Sequence, residues 1–298
     1  MKLCAHAHVP FFVWAESLQP RSAWSPRRFV RDALYARALR GAAGAFALSC
    51  GAARDLARLG VARRRIFPAV YPGPFAAAME AEAPTRERSR HALVYCGRLI
   101  PIKGLRILAS ALELLATRNV QTQLHVIGDG PDLEFMSTLR SAGVEVVMHG
   151  AVPSDRVPSL IRRASVLVLP TPRREGWGYV VNEAYAAGIP VVVSDAVGAA
   201  EIVVPGVTGF VAKRGSGPSL ARAIAAACEL DGVANGPGLR RVHDSLAAET
   251  FVAYMSACIM SVLDGGSAPT PPWHEAVAAL GGNEHVRWWQ AWRSGAEI

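Results

Sequence analysis

The chain has 298 residues, enough for two domains of ordinary size, and 51% of them are hydrophobic, which supports a sizeable core and excludes wholesale disorder. Its formal net charge is +8, with arginines gathered in 21–40 and at Arg63-Arg64-Arg65. Such a balance suits an anionic membrane surface or a phosphorylated ligand, and arginine-rich composition without a specific partner fits it as well.

No helix-turn-helix signature, zinc spacing or aromatic RNA-binding strand accompanies the charge, so nucleic acid is not an expected partner. No run of about 18 apolar residues occurs, so no membrane span is expected. The N-terminus lacks the charged, apolar and small-residue order of a signal peptide. The five cysteines (Cys4, Cys50, Cys96, Cys228 and Cys258) are scattered without C-x-x-C spacing, which suits reduced thiols in a cytosol.

Along the chain, Pro10-Phe11-Phe12-Val13-Trp14 reads as a strand ending at Ala15-Glu16-Ser17. Phe29, Leu34 and Leu39 among Arg28, Arg31, Arg37 and Arg40 read as an amphipathic helix. Ala45–Ser49 is a short strand, Ala52–Leu59 a helix stopped by Gly60, and Arg65-Ile66-Phe67-Pro68 opens another strand. Residues 1–75 thus form part of an α/β domain with about three strands, fewer than a parallel sheet covered on both faces usually has. Residues 76–91, rich in Ala, Glu and Arg, read as a linker.

From His91 onward strands and helices alternate regularly, which predicts a doubly wound parallel sheet over 92–264. Strands are expected at Leu93–Cys96, Leu124–Ile127, Val144–Val147, Val166–Leu169, Val191–Val193 and Phe210-Val211. Leu105, Leu108, Ala109, Leu112 and Leu115 recur at helical spacing, Ser154 is the expected cap of a helix holding Leu160 and Ile161, and Ala221–Cys228 and Ala247–Leu263 are helical by propensity. Residues 265–298 break the pattern with glycines and prolines, then bring Trp273, Trp288, Trp289 and Trp292. An interfacial membrane role is one reading of these tryptophans, and ordinary packing of large aromatics is the simpler one.

Two loops carry chemistry. Gly97-Arg98 and Lys103-Gly104 frame the exit of the first strand of the regular part, at the carboxyl edge where open α/β sheets bind ligands. Glu175-Gly176-Trp177-Gly178 lies between the strand ending at Leu169 and a helix that holds Glu183, eight positions after Glu175. Glycines there let the backbone approach an anionic or hydroxyl-rich ligand, and both carboxylates point toward one crevice. Two solvated acids near a helix start are the bland alternative. Gly128-Asp129-Gly130 lacks the third glycine of a dinucleotide fingerprint, and neither a P-loop nor a nucleophile elbow occurs.

The E-x7-E pair and the run Gly97-Arg98-Leu99-Ile100-Pro101-Ile102-Lys103-Gly104, close to a G-R-L-x-P-x-K-G signature, resemble the GT-B-fold retaining glycosyltransferases, in particular family 4. The resemblance covers roughly 29–264 and is strongest in 93–212. It implies two Rossmann-like domains, the N-terminal one shortened, with residues 265–298 crossing back to pack on it. It implies transfer of a sugar, with retention, from a nucleotide sugar to a glycan or lipid-linked acceptor at the cytosolic face of a membrane. Arg98 and Lys103 would hold the donor diphosphate in place of a metal, in keeping with the absence of a D-x-D motif. Glu175 would lie at the donor sugar as the catalytic-site carboxylate, and Glu183 would take the ribose hydroxyls. Gly97, Gly176, Trp177 and Gly178 would line the donor, with Val152 of His149-Gly150-Ala151-Val152 against the base.

On the acceptor side Glu16, at the end of its strand, faces the expected cleft. His6 and His8 read as surface residues and His125 as structural. No metal or other cofactor is expected. A second function class, a non-catalytic donor-binding or partner protein, remains open because the N-terminal part is short. On that reading Phe11, Phe12, Val13, Phe29 and Leu34 expose apolar surface, and the chain self-associates and transfers sugar poorly.

Overall fold

The computed structural model describes residues 9–16, 26–73, 91–139, 144–230 and 232–294. His6, His8 and Cys4 lie outside these residues, as does all of the expected linker except His91.

Among the described residues nine strands form two sheets, both entirely parallel. The first is β1 (Phe12–Ala15), β2 (Gly44–Ala47) and β3 (Ile66–Pro68), in that order. Helix α1 (Pro26–Leu39) joins β1 to β2, and α2 (Cys50–Arg58) joins β2 to β3. Ser49 caps α2, its hydroxyl accepting from the Ala52 amide at 3.1 Å, and Ala52, Ala53 and Leu56 form the buried face. The cap sets the helix start at Cys50, earlier than the apolar spacing alone indicates.

The second sheet comprises β4 (Ala92–Cys96), β5 (Gln123–Ile127), β6 (Glu145–Gly150), β7 (Val166–Leu169), β8 (Val191–Ser194) and β9 (Gly209–Ala212). Their order is β6-β5-β4-β7-β8-β9. The chain starts in the middle, builds outward to β6, then returns to the other side of β4. Strands β7 and β8 are buried along their whole length, as near-continuous Val and Leu runs require when helices cover both faces. Those helices include α3 (Leu105–Ala116), α4 (Leu133–Thr138), α5 (Val157–Ile161), α6 (Val180–Ala186) and α7 (Gly217–Cys228). Strand β6 runs on through His149-Gly150, which the sequence reading places in its exit loop. Helix α5 starts from Arg156 without a side-chain cap, so Ser154 does not cap it; Pro158 in the first turn supplies a preset φ instead.

Helices α8 (Gly232–Ser245), α9 (Ala248–Leu263), α10 (Pro272–Ala279) and α11 (Glu284–Ser294) close the chain. They complete the first sheet's core. On one face Phe46 and Phe67 share a buried cluster with Phe251, Tyr254 and Trp273. On the other, Trp289 and Trp292 of α11 pack with Ala45, Leu56 and Ile66, and Arg63 lies over the Trp292 ring at 4.5 Å. Phe29 and Leu34 of α1 are 79% and 62% exposed, whereas Phe11, Phe12 and Val13 are half-buried. Among the described residues no helix is long and apolar enough to cross a membrane.

Candidate donor-binding site

In an open parallel sheet the crevice lies outside the carboxyl ends of the strands, where the order reverses. Here that point is between β4 and β7, and the two loops singled out by sequence leave from those strands. They are held by backbone packing that only glycine permits. Gly128 has φ of 134°, and a Cβ there would stand 2.0 Å from the Gly97 carbonyl oxygen. A Cβ on Gly198 would stand 2.1 Å from the Gly176 carbonyl oxygen. The Gly97 amide is already spent on the Ile127 carbonyl at 2.9 Å, so Gly97 serves the loop's shape and offers no donor to a ligand. Tyr95 props the same loop, its buried hydroxyl donating to the Arg98 carbonyl at 2.9 Å.

The Glu175 turn is laced to the segment after β8. Its amide donates to the Ala196 carbonyl at 2.9 Å, and the Ala199 amide donates to the Trp177 carbonyl at 2.8 Å. Among the described residues no group accepts from the amides of Gly176, Trp177 or Gly178. The Trp177 side chain is buried and acts as a strut. Its indole donates to Asn182 Oδ1 at 2.9 Å, and Asn182 Nδ2 donates to the Tyr71 carbonyl at 2.6 Å. Asn182 therefore ties the glycine turn to the end of the three-stranded half.

The charged groups meet across the switch point. Lys103 Nζ pairs with Glu175 Oε1, and the Thr171 hydroxyl donates to Glu175 Oε2 at 2.7 Å. Arg98 is exposed at the rim. Glu183 stands in the first turn of α6, half-buried, and burial pushes its carboxyl up to about 7. It faces Cys96 and Tyr179, whose groups are pushed up to about 12 by burial first and by the Glu183 charge second. Glu16 approaches from the other half. Its carboxylate accepts from the Tyr71 hydroxyl and lies against Gly176, where a Cβ would meet Glu16 Oε2. Val152 packs on the core beside the β6 exit. His149 stacks on His125, with Nε2 and Nδ1 3.0 Å apart, and burial holds both rings below the usual histidine range.

The structure thus gathers Lys103, Glu175, the glycine turn and Glu16 at one crevice. Thr171, Tyr71 and Asn182 are members that the sequence reading missed. Asn182 sits beside Glu183 in the motif, but its partner Tyr71 is 111 positions away. No local pattern signals such a pairing.

Residues 90–229 match the family of glycosyl transferases group 1. Over 157 residues the chain is 37% identical to the GDP-mannose-dependent alpha-(1-6)-phosphatidylinositol monomannoside mannosyltransferase of Mycolicibacterium smegmatis, covering 48% of this chain and 41% of that protein. It is 30% identical over 138 residues to the capsular polysaccharide biosynthesis glycosyltransferase CapM of Staphylococcus aureus, covering 44% of this chain and 34% of that protein. The match spans well under two thirds of either relative. The fold is similar to that of Anabaena Alr3699/HepE in complex with UDP, with a TM-score of 0.70, 19% identity, and coverage of 87% of this chain and 74% of that one. It is also similar to sucrose-phosphate synthase of Thermosynechococcus elongatus, with a TM-score of 0.64, 22% identity, and coverage of 86% and 68%. Residues 90–229 are therefore a glycosyl transferases group 1 domain, set in a chain whose two parallel α/β sheets have the GT-B-like fold.

Proposed function

We propose that this chain transfers a sugar from a nucleoside-diphosphate sugar, with retention, to a glycan or lipid-linked acceptor. The observation that carries this reading is the Lys103–Glu175 pair at the switch point, beside a glycine turn whose amides have no described acceptor.

When the sugar–phosphate bond breaks, the electron pair stays on the diphosphate and its charge rises. Lys103 and Arg98 neutralise that charge without a divalent metal, and the amides of Gly176, Trp177 and Gly178 add fixed dipoles. Lys103 is held ready by Glu175, which is itself anchored by Thr171. Glu175 accepts hydroxyls of the donor sugar and Glu183 those of the ribose, with Val152 against the base. The leaving diphosphate takes the acceptor's proton on the face it departs from, and Glu16 meets the acceptor from the other half. Helix α1, with Phe29 and Leu34 exposed among Arg31, Arg37 and Arg40, supports work at an anionic membrane surface on the cytosolic side, or self-association through the same face.

The test is release of nucleoside diphosphate from a panel of UDP- and GDP-sugars with a membrane extract as acceptor. The expected result is release with one donor, lost in Glu175→Ala. Tight binding of that donor with no release under any acceptor would contradict transfer and leave a donor-binding protein.

A further inference from the structure

Beside the donor crevice, a second group of chemically capable side chains meets where three segments distant in sequence converge, in a cavity that Glu175 also lines. Cys50 begins α2 of the small half, Glu201 lies in the turn after β8, and His285 lies in the first turn of α11. One ligand atom from each, a thiol sulfur, a carboxylate oxygen and a ring nitrogen, falls within 4.8 Å of the others. Cys50 Sγ and His285 Nδ1 are 4.0 Å apart, too far for a strong hydrogen bond. All three line a cavity of about 390 Å³ between the halves.

From these positions we propose a binding site for a thiophilic divalent transition ion of the Zn²⁺ class, whose ligands are none of the residues assigned to the donor. The donor set suits that class: sulfur and imidazole select borderline-soft ions, and hard ions such as Mg²⁺ take oxygen. The charge balances once Cys50 releases its thiol proton to solvent on binding, since one thiolate and one carboxylate then offset a 2+ ion. Metal–sulfur and metal–nitrogen bonds of about 2.3 and 2.0 Å at a tetrahedral angle place S and N roughly 3.5 Å apart. A closure of about half an ångström from the observed 4.0 Å therefore seats the ion.

The surroundings already orient the ligands. Glu201 Oε1 accepts from the Cys50 amide and Oε2 from the Trp289 indole at 2.9 Å, which leaves a lone pair on each oxygen. The Glu201 carbonyl is fixed by Asn283 at 2.8 Å. His285 Nε2 is a buried nitrogen without a hydrogen-bond partner, and the Glu284 carboxylate, 3.8 Å away, is the neighbouring group that could orient the ring once an ion is bound. The cavity supplies an entry path and room for a water as fourth ligand. Arg54, Arg174 and Arg214, on the same cavity, oppose the ion; the Arg54 guanidinium is drawn aside over the Trp288 ring at 4.9 Å, Arg174 pairs with Asp55 at 3.2 Å and Arg214 with Asp195 at 2.8 Å. A bound ion would join α2, the β8 exit and α11, and so staple the small half to the donor domain.

The experiment titrates the purified, reduced, metal-free chain with Co²⁺, whose thiolate bond absorbs in the near ultraviolet, and then displaces it with Zn²⁺. The expected result is a thiolate–cobalt band that saturates at one ion per chain, bleaches with Zn²⁺, vanishes in Cys50→Ser, and needs roughly tenfold or more Co²⁺ in His285→Ala. Zn²⁺ should raise the thermal midpoint of the native chain only. Absence of the band from the native chain, or its survival in Cys50→Ser, overturns the proposal. The native titration decides even if a variant fails to fold. Failure here leaves nucleotide binding untouched, and failure to bind nucleotide leaves the cobalt result standing.

Discussion

The two sheets solve the problem of burying parallel strands in different ways. One face of the six-stranded sheet is covered by α3 and α7 from its own stretch of chain, and its central strands β7 and β8 are near-continuous aliphatic runs. The three-stranded sheet draws part of its cover from the far end of the sequence. Trp273, Trp289 and Trp292 and the α9 aromatics fill spaces that α1 and α2 leave open. The six-stranded part can therefore be read more locally, whereas the small half is more a product of distant pairings. The crevice lies between them, with Lys103 and Glu175 on one side and Glu16 and Tyr71 on the other.

The largest way to break this contrast is Trp289→Ala. It removes a fully buried ring and the indole hydrogen bond to buried Glu201. The expected loss is about 3–5 kcal/mol. It should appear in denaturant unfolding as an early transition of the small half, with the six-stranded unit unfolding later. One coincident transition would show that the halves are a single cooperative unit.

The counterpart in the donor domain is Gly128→Ala. The left-handed φ and the Gly97 carbonyl leave no space for a Cβ. A loss of about 3 kcal/mol is expected in the later transition, together with weaker nucleotide binding because the Arg98 loop must shift. A loss confined to the early transition would contradict the division.

Glu183 sharpens the comparison by pH. Its carboxyl is raised from 4.5 to about 7 in the folded chain, so between those values the folded state holds more protons than the unfolded one. Its contribution to stability is fully present below about 4.5 and is lost as pH rises through about 7. Glu183→Gln should flatten that decline, by on the order of 2 kcal/mol at pH 8 after allowance for its partial exposure. Chemical denaturation at pH 5 and pH 8 checks it, and an unchanged pH slope would oppose the assignment.

Much of the candidate site's geometry is legible in the sequence because βα alternation fixes which loops share an edge. Once β4 and β7 are adjacent, the loops that carry Lys103, Glu175 and the glycine turn must converge, with Arg98 at their rim. Glu183 follows because its helix starts at that turn. Asn182, Tyr71 and the Cys50–Glu201–His285 group were not legible. Each depends on contacts between residues of different elements, and their local patterns look like an ordinary helix, loop or cap. Cys50 in particular reads as a scattered thiol until α11 folds back over it. The starts of α2 and α5 were misplaced for a smaller reason. Capping and proline geometry set those ends, whereas apolar spacing reports only the helix interior.

The most direct test of the donor-site assignment is calorimetric titration of UDP and GDP, in the presence of EDTA, into the native chain and Lys103→Ala. The account predicts that the native chain binds at least one diphosphate without metal. It also predicts that Lys103→Ala weakens every diphosphate that binds by a similar amount, about 1.5–3 kcal/mol, because the lysine meets phosphate and not base. If chelation lowers native affinity, the same titration in Cys50→Ser separates the two sites, since only a donor-site metal would leave that variant chelator-sensitive. Binding that vanishes with EDTA in both proteins, or a Lys103→Ala loss confined to one base, would contradict the account.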